Sequence, residues 1–378
     1  MGAMPAQVSQ VPDVDTFRAF FRGPFEAASP EIEETDAIPP EVLRGAIEAG
    51  TTRLSVPREH GGYGLSLLEL LPYLEAAATG PSAGRMLTHL NNGIWRPLAE
   101  FGTPGQQRLV DQSAAGSVAI AFALTEKTGG TGRDLHSRAE RDGDGWRLSG
   151  EKHLITFADR ADYFLLTARS DDRGAPDSFT SFLVARDTPG FEIQLGQRTM
   201  GLAGSGHGWL RYAGMRLADA DRLGAAGEGL KVAFSFLDYS RISLSACMTG
   251  LASRALEESI AYARQRVTFG QPIAARESVQ AHLAEMQADI EAGRGLVRTA
   301  AARYDHGEPV TSEAATAKLF CLNMVGRVTD HALRVHGGYG YTRQAPIERI
   351  YRDARGFWFE EGTAEIQQKV IARALLAG

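Results

Sequence analysis

The spacing of apolar residues changes twice along the chain and divides it into three zones. In the first zone, about residues 13–115, apolar positions recur every three to four residues, the repeat of an amphipathic helix. One helix is predicted from the proline pair at Pro39 to Gly50. A second, largely buried helix is predicted over LSLLELLPYLEAAATG, with an interruption near Pro72.

The second zone, about residues 116–223, alternates apolar and polar positions, which is the repeat of a β-strand. The DGDG tetrapeptide at Asp142–Gly145 lies between two alternating runs and predicts a hairpin. Further strands are predicted over DYFLLTARS, SFTSFLVARD and FEIQLG. Because no helix separates these strands, we expect a small antiparallel barrel or sandwich and not a parallel βαβ unit.

The third zone, about residues 224–378, returns to long helices. In SVQAHLAEMQADIEAGRGLVRTAAARY the apolar residues have near-heptad spacing, so this helix is predicted to pack lengthwise in a bundle. The next helix is predicted to begin at a Thr311–Ser312 cap and to end at the Gly337–Gly338 pair. The predicted fold is therefore α+β in three domains, at 13–115, 116–223 and 224–378.

Composition narrows the classes of function. The 378 residues carry a formal net charge of -6, which argues against nucleic acid as the main partner. The two cysteines, Cys247 and Cys321, have no metal-type neighbour at short spacing and are interpreted as buried free thiols of a reducing compartment. No apolar run reaches the roughly 18 residues that span a bilayer, and no signal peptide is recognised, so a cytoplasmic protein is expected.

Several catalytic classes lack their signatures. GLAGSGHG (201–208) has the glycines of a dinucleotide fingerprint but lies among strands without a following helix. GGTGRD (129–134) lacks the Lys-Ser/Thr of a phosphate loop, and no serine-nucleophile elbow is present. The histidines occur singly along the sequence, so no metal site is predicted.

Two adjacent carboxylates, Glu360 and Glu361, stand before Gly362-Thr363 and a predicted final helix. A carboxylate just ahead of a helix is stabilised by the exposed N–H groups of its first turn. From spacing alone, this structural role is favoured over a catalytic one for either glutamate.

A set of longer motifs resembles one family. ALTE, LSGEKHLIT, RQRVTFGQPI, HGGYGYT, ERIYRDAR and EEGTAEIQQKVIARAL occur in the order and at the spacing typical of the acyl-CoA dehydrogenases, over nearly the whole chain. The resemblance implies an FAD enzyme with an N-terminal helical domain, a central β-domain and a C-terminal four-helix bundle. It also implies removal of two hydrogens from the α and β carbons of an acyl thioester.

The resemblance implies roles for individual residues. In the family the base directly precedes Gly-Thr, which selects Glu361, and a dry pocket is expected to raise its basicity. Some relatives keep the base directly before the arginine that matches Arg241, where this chain has Ser240. The implied FAD contacts are Phe122, Leu124, Thr125, Thr131, Thr156, Arg266, Phe269, Arg334, Gly337, Gly338 and Thr363. Among them, Arg266 and Phe269 match the pair that holds the FAD of a neighbouring subunit in the family. The implied substrate contacts are Asp238, Arg241, Gly362 and Arg373.

Three departures from the family pattern stand out. The loop TEKTGGTGRD lacks the usual proline, and Leu154 stands where an aromatic residue is common. Glu360 occupies a position where tyrosine or another large residue is common. Two desolvated carboxylates would raise each other's pKa, so Glu360 is predicted to point to solvent or to a cation.

These departures leave the thioester handle open. An acyl-CoA is ranked first and an acyl chain on a carrier protein second, since both present the same pantetheine arm. A flavin oxidase or monooxygenase and a non-catalytic binding module rank lower. The expected partners are an electron-transfer flavoprotein and further copies of this chain, as a homodimer or homotetramer.

Overall fold

The structure is a computed structural model that describes residues 10–130, 134–170 and 178–377. Its N-terminal part is helical. The helix predicted after Pro39 is present as α3 (Pro40–Glu48), whereas α4 (Leu67–Ala77) runs without interruption through Pro72. Because α4 buries apolar residues on both sides of Pro72, such as Leu70 and Leu74, this burial outweighs the hydrogen bond that proline removes. The helices are α1 (Val14–Phe20), α2 (Ser29–Thr35), α3 (Pro40–Glu48), α4 (Leu67–Ala77), α5 (Ser82–Asn91), α6 (Trp95–Phe101) and α7 (Pro104–Ala114).

The central part is one sheet of eight strands among the described residues. Along it the order is β6-β7-β3-β2-β4-β5-β8, with β1 beside β4. The predicted hairpin is present, with Asp142 paired to Gly145. Five pairings are antiparallel, as expected, but β1 and β2 each pair with β4 in parallel. The strands are β1 (Ile120–Ala123), β2 (Arg138–Asp142), β3 (Gly145–Ile155), β4 (Tyr163–Ser170), β5 (Phe179–Ala185), β6 (Phe191–Gln194), β7 (Gly208–Ala218) and β8 (Arg222–Leu223).

The C-terminal part is the predicted bundle. Helices α9, α10 and α11 pack against one another, and α13 packs on α11. Within α11, Gly337 leaves the helical conformation (φ 59°, ψ -146°), at the break predicted for the glycine pair. The elements are α8 (Gly229–Phe234), α9 (Leu237–Gln265), the hairpin β9 (Val267–Thr268) and β10 (Gln271–Pro272), α10 (Glu277–Asp305), α11 (Thr311–Gly340), α12 (Pro346–Gly356) and α13 (Ala364–Ala377).

The first and third zones share one apolar core. It extends from Phe17 and Leu70 in the N-terminal helices to Met286 and Val325 in the bundle, whereas the sheet has a core of its own around Trp146. The helices that face each other across this shared core, α5 and α9 among them, are therefore held in fixed relation. Among the described residues, no helix combines the length and the apolarity needed to cross a membrane.

Candidate active site

Glu361 lies in the short turn between α12 and α13, in a backbone conformation that few residues adopt. Its φ is 52°, and Gly362 follows at 88°, a left-handed stretch that favours glycine. Two side chains hold this turn from neighbouring helices. Lys318 Nζ donates to the carbonyl oxygens of Glu360 and Gly362, and Gln367 Nε2 donates to the carbonyl of Glu361 at 3.2 Å. The turn that carries Glu361 is thus fixed by α11 and α13.

The carboxylate of Glu361 is nearly buried and faces α5 and α9. Its side chain is 13% exposed, and Oε1 lies 3.8 Å from His89 Nε2. From α9, Arg241 is buried, interacts electrostatically with Glu361, and is paired to Asp238 at 3.2 Å. Four residues predicted for the base and the substrate, including Gly362, are therefore gathered here.

The neighbouring carboxylate turns away from Glu361 and forms an ion pair inside the protein. Glu360 accepts two hydrogen bonds from the guanidinium of Arg85, at 2.9 Å and 2.7 Å. Arg85 is fully buried on α5, and its guanidinium stacks on the Phe357 ring at 3.9 Å. Of the two predicted orientations for Glu360, toward solvent or toward a cation, the structure shows the second.

Cationic neighbours decide the charge state of both glutamates. Burial raises the pKa of Glu360, but Arg85 outweighs it and holds that pKa below its ordinary value. Burial likewise raises the pKa of Glu361, but contacts with His89, Ser240 and Lys318 bring it below the ordinary value. The expectation of raised basicity does not hold in this structure, because hydrogen bonds from His89 and Ser240 and the charge of Lys318 outweigh desolvation. Glu361 is therefore ionised at neutral pH, as a base must be.

A second cluster of predicted residues lies where β1 and β3 end. Leu124 and Thr125 directly follow β1, and Thr156 directly follows β3. The N–H of His153 donates to the carbonyl of Thr125 at 2.8 Å, so the two strand ends are joined. Phe122 lies on β1 itself, half-buried, whereas Thr131 is outside the described residues.

A buried ion pair supports these strand ends. Lys152, fully buried on β3, donates to the carbonyl of Leu124 at 3.0 Å and to the carboxylate of Glu126 at 2.9 Å. Glu126 also accepts the backbone N–H of Ser137 at 3.0 Å. The first residues of the loop that lacks the family's proline are thus joined to the sheet by an ion pair at Glu126.

A groove of about 660 Å³ collects most of the remaining FAD candidates. Arg266, Arg334, Gly337 and Gly338 line it, together with Arg276, which the sequence analysis missed. Three guanidinium groups suit a pyrophosphate, and side chains added at either glycine would meet nothing within 4 Å. The groove therefore fits the phosphates of an FAD.

Three predicted residues lie at the edges of these clusters. Phe269, at the turn of the β9–β10 hairpin, is 96% exposed. Thr363 directly precedes α13, and its carbonyl accepts the N–H of Gln367 at 3.2 Å. Arg373 is exposed on α13, and no described contact joins it to the other candidates.

The sequence analysis missed Arg85, His89 and Lys318. A signal was present for the first two, because Arg85 and His89 are four positions apart on α5 and therefore share one face of that helix. Two of the histidines that occur singly along the sequence meet in the fold. The potential ligand atoms of His282, Glu285 and His331 lie within 4.8 Å of one another across α10 and α11.

Known proteins similar to this chain match it along nearly its full length. The family profiles described as acyl-CoA dehydrogenase N-terminal, middle and C-terminal domain match residues 13–117, 121–215 and 227–376. An acyl-CoA dehydrogenase of Bacillus subtilis (strain 168) is 33% identical over 365 residues, 96% of each chain.

Solved structures of known proteins are also similar to this chain along nearly its full length. Butyryl-CoA dehydrogenase from Megasphaera elsdenii is 29% identical, with a TM-score of 0.90 over 100% of both chains. The prolyl acyl carrier protein oxidase AnaB is 28% identical, with a TM-score of 0.88 over 99% of this chain and 100% of that one.

Proposed function

This chain belongs to the acyl-CoA dehydrogenase family of FAD-dependent oxidoreductases, which act on CH–CH bonds, and we propose that it converts an acyl-CoA to the trans-2-enoyl-CoA. In this proposal Glu361 removes the α proton. The observation that carries it is the turn of Glu361, whose ionised carboxylate is nearly buried and whose backbone is held by Lys318 and Gln367.

The chain's own groups have distinct tasks in this reaction. An α C–H beside a thioester is only weakly acidic, so a base must be fixed within reach and sheltered from water. The held turn provides the position, and the packing of α5 and α9 around Glu361 excludes solvent. Arg241, buried and paired with Asp238, lies beside the base and favours its ionised form before the proton arrives.

FAD, the cofactor, supplies the acceptor for the β hydride when bound. The ends of β1 and β3, with Thr125 and Thr156, would face its ring. Arg266, Arg276 and Arg334, with Gly337 and Gly338, would hold the phosphates of an FAD. The FAD in this groove would be a different molecule from the one that faces Thr125 and Thr156. We assign it to a neighbouring copy of the chain, as the resemblance implies, and the nearly complete exposure of Phe269 beside the groove supports that assignment.

The proposal is tested by anaerobic bleaching of the flavin absorbance on mixing with a panel of acyl-CoAs. We expect one chain class to bleach it, and Glu361→Gln to abolish the bleaching while retaining FAD. Glu365→Gln, an exposed carboxylate on the first turn of α13, is the matched control and should leave bleaching unchanged. Unchanged bleaching in Glu361→Gln would mean that Glu361 is not the base.

A second candidate substrate is an acyl thioester on a carrier protein. Full-length similarity to a prolyl acyl carrier protein oxidase favours it. The same bleaching experiment separates the two, because a carrier-linked acyl group would bleach the flavin while the corresponding acyl-CoA would not. Oxygen consumption during turnover would then distinguish an oxidase from an enzyme that passes electrons to an electron-transfer flavoprotein.

The proposed assembly is a homodimer or homotetramer. Its support is the groove on one copy and two almost fully exposed aromatic residues, Phe269 (96%) and Tyr341 (90%), which a second copy would cover. Light scattering gives the mass directly. Arg266→Ala should lower FAD content, if the groove holds the phosphates of FAD.

A further inference from the structure

Two histidines and a glutamate meet where α10 packs against α11, outside the clusters that the proposed function uses. His282 and Glu285 are three positions apart on α10 and therefore share one face of that helix. His331 reaches them from α11. One potential ligand atom of each side chain lies within 4.8 Å of the other two, and among the described residues this is the one group of three with that property.

The separations are close to those of ligands around a single ion. Nε2 of His331 lies 3.2 Å from Oε2 of Glu285. Two atoms bound about 2.1 Å from a tetrahedral ion are about 3.4 Å apart, so this pair needs almost no movement. The rings of His282 and His331 lie 4.7 Å apart between centroids and are inclined by 40°. The limiting separation of 4.8 Å therefore has to close by at most about 1.4 Å.

The three side chains can make that movement. Nδ1 of His282 and Nδ1 of His331 are buried, and neither has a hydrogen-bond partner in the part of the chain that the structure describes. Turning either ring therefore breaks no described hydrogen bond at Nδ1. Glu285 can adjust as well, because its side chain is 63% exposed. That exposure also leaves room for water to complete the coordination of an ion.

The two helices that carry these side chains are held together one turn away. Arg327 on α11 donates to both carboxylate oxygens of Asp289 on α10, at 2.8 Å and 2.9 Å. Asp289 follows Glu285 by four positions, and Arg327 precedes His331 by four. The ion pair and the histidine cluster therefore occupy successive turns of one antiparallel helix contact, and the ion pair keeps the helices at a fixed spacing beside the cluster.

We propose that His282, Glu285 and His331 form a binding site for a divalent transition-metal ion, with Zn²⁺ as the expected ion. Two imidazole nitrogens and one carboxylate oxygen are a ligand set that zinc accepts, with water in the fourth position. Magnesium and calcium prefer oxygen ligands throughout and do not suit this set. Because no partner orients either ring through Nδ1, the affinity should be about 10–100-fold below that of a zinc site with such partners.

An ion in this site would join α10 to α11 beside the groove described above. Val279 and Arg334, which line that groove, lie three positions from His282 and His331 on the same two helices, or about one turn. Arg334 is paired to Asp330 at 2.8 Å, so part of its positive charge is neutralised. The site therefore has a structural role, as a cross-link in the wall of the groove.

The first test is a calorimetric titration of the EDTA-treated, dialysed holoenzyme with zinc chloride and, in parallel, with magnesium chloride. We expect one bound zinc ion per chain and no binding of magnesium. His282→Gln and His331→Gln should each weaken zinc binding by at least about 100-fold, because loss of an outer-shell partner alone typically costs about 10–100-fold. Glu285→Gln, at an exposed side chain, should also weaken it and keeps the test decisive if a histidine variant does not fold.

His60→Gln is the matched control. Nδ1 of His60 lies 2.6 Å from a carboxylate oxygen of Asp111, and no second histidine in the described ranges completes a cluster there. Zinc binding should therefore be unchanged in His60→Gln. The site is refuted if wild type shows no saturable zinc binding, if the three cluster variants bind zinc as wild type does, or if His60→Gln loses binding equally.

The second test identifies the ligands. The electron paramagnetic resonance spectrum of bound Cu²⁺ shows hyperfine splitting from each coordinated nitrogen, and we expect two nitrogens in wild type and one in His282→Gln. A spectrum without nitrogen splitting, the same in wild type and the histidine variants, would mean that exposed carboxylates bind the metal and that the proposed site is wrong.

The third test is the unfolding midpoint with and without zinc. Zinc should raise the midpoint of wild type, because an ion that binds the folded chain stabilises it, and should leave that of His331→Gln unchanged. Midpoints measured in EDTA show whether each variant is folded. A wild-type midpoint that saturating zinc leaves unchanged would contradict the cross-link. None of these measurements uses a thioester, so their outcome is independent of the proposed dehydrogenase activity.

Discussion

Replacing Arg85 with methionine should leave the carboxylate of Glu360 buried without its partner. The structure shows a fully buried guanidinium and two hydrogen bonds of 2.9 Å and 2.7 Å to a carboxylate that is 17% exposed. Breaking a buried pair by removing one partner lowers the free energy of unfolding by about 3–5 kcal/mol. Because Glu360 is partly exposed, we expect a loss at the lower end of this range, about 3 kcal/mol. The turn of Glu361, one residue on, should loosen with it.

The measurement is guanidinium chloride unfolding of the holoenzyme, followed by circular dichroism. The midpoint for Arg85→Met should fall by on the order of 0.5–1 M. Arg85→Met/Glu360→Leu should recover most of that loss, because replacing a whole buried pair by apolar groups is often neutral or stabilising. Arg18→Met is the control, since its partner Asp15 is exposed and surface pairs contribute about 0–1 kcal/mol.

Two outcomes would refute this reasoning. A loss below about 1 kcal/mol for Arg85→Met would mean that Glu360 finds water or another cation, so that the ion pair does not hold the turn. A double variant as unstable as Arg85→Met would mean that the packing of Arg85 on Phe357, and not its charge, is what matters.

Further predictions concern two lysines and two glycines. Burial lowers the pKa of Lys318 to about 8, so the unfolded chain binds more protons between about pH 8 and 10.5. Wild type should therefore gain stability relative to Lys318→Met as pH rises through that window, and parallel unfolding midpoints would contradict this. Lys152→Met should lower the flavin absorbance retained per protein after dialysis, because the carbonyl of Leu124 and the carboxylate of Glu126 lose the ammonium group that donates to them. Full retention of the flavin would contradict this prediction. Gly250→Ala should lower the unfolding midpoint, since its Cβ would lie 2.3 Å from a backbone oxygen of α4, whereas Gly295→Ala meets nothing within 4 Å and should stabilise by up to about 1 kcal/mol; equal midpoints would contradict both.

Local signals were sufficient for much of the fold. The helix after Pro39, the Asp142–Gly145 hairpin and the break at Gly337 follow from residues whose backbone preferences act within a few positions. The order of the three zones follows from the apolar repeat, which changes from 3.6 to two and back. The family motifs select Glu361 among the carboxylates because they place it directly before Gly-Thr.

Other features depend on which elements meet in space. The parallel pairings of β1 and β2 with β4 and the core shared by the first and third zones are non-local. So is the passage of α4 through Pro72, where burial on both flanks outweighs a local preference for a break.

The sequence by itself, through its family motifs, selected Glu361 as the candidate base and predicted that Glu360 points to solvent or to a cation. Only the tertiary structure decided which partner, since Arg85 is 275 positions away from Glu360, and α5 reaches it only through packing against the bundle. His89 meets Ser240 in the same way, 151 positions apart. The charge state of the two glutamates followed from those contacts, because the free energy of a buried charge is set by the groups around it and not by its neighbours in sequence.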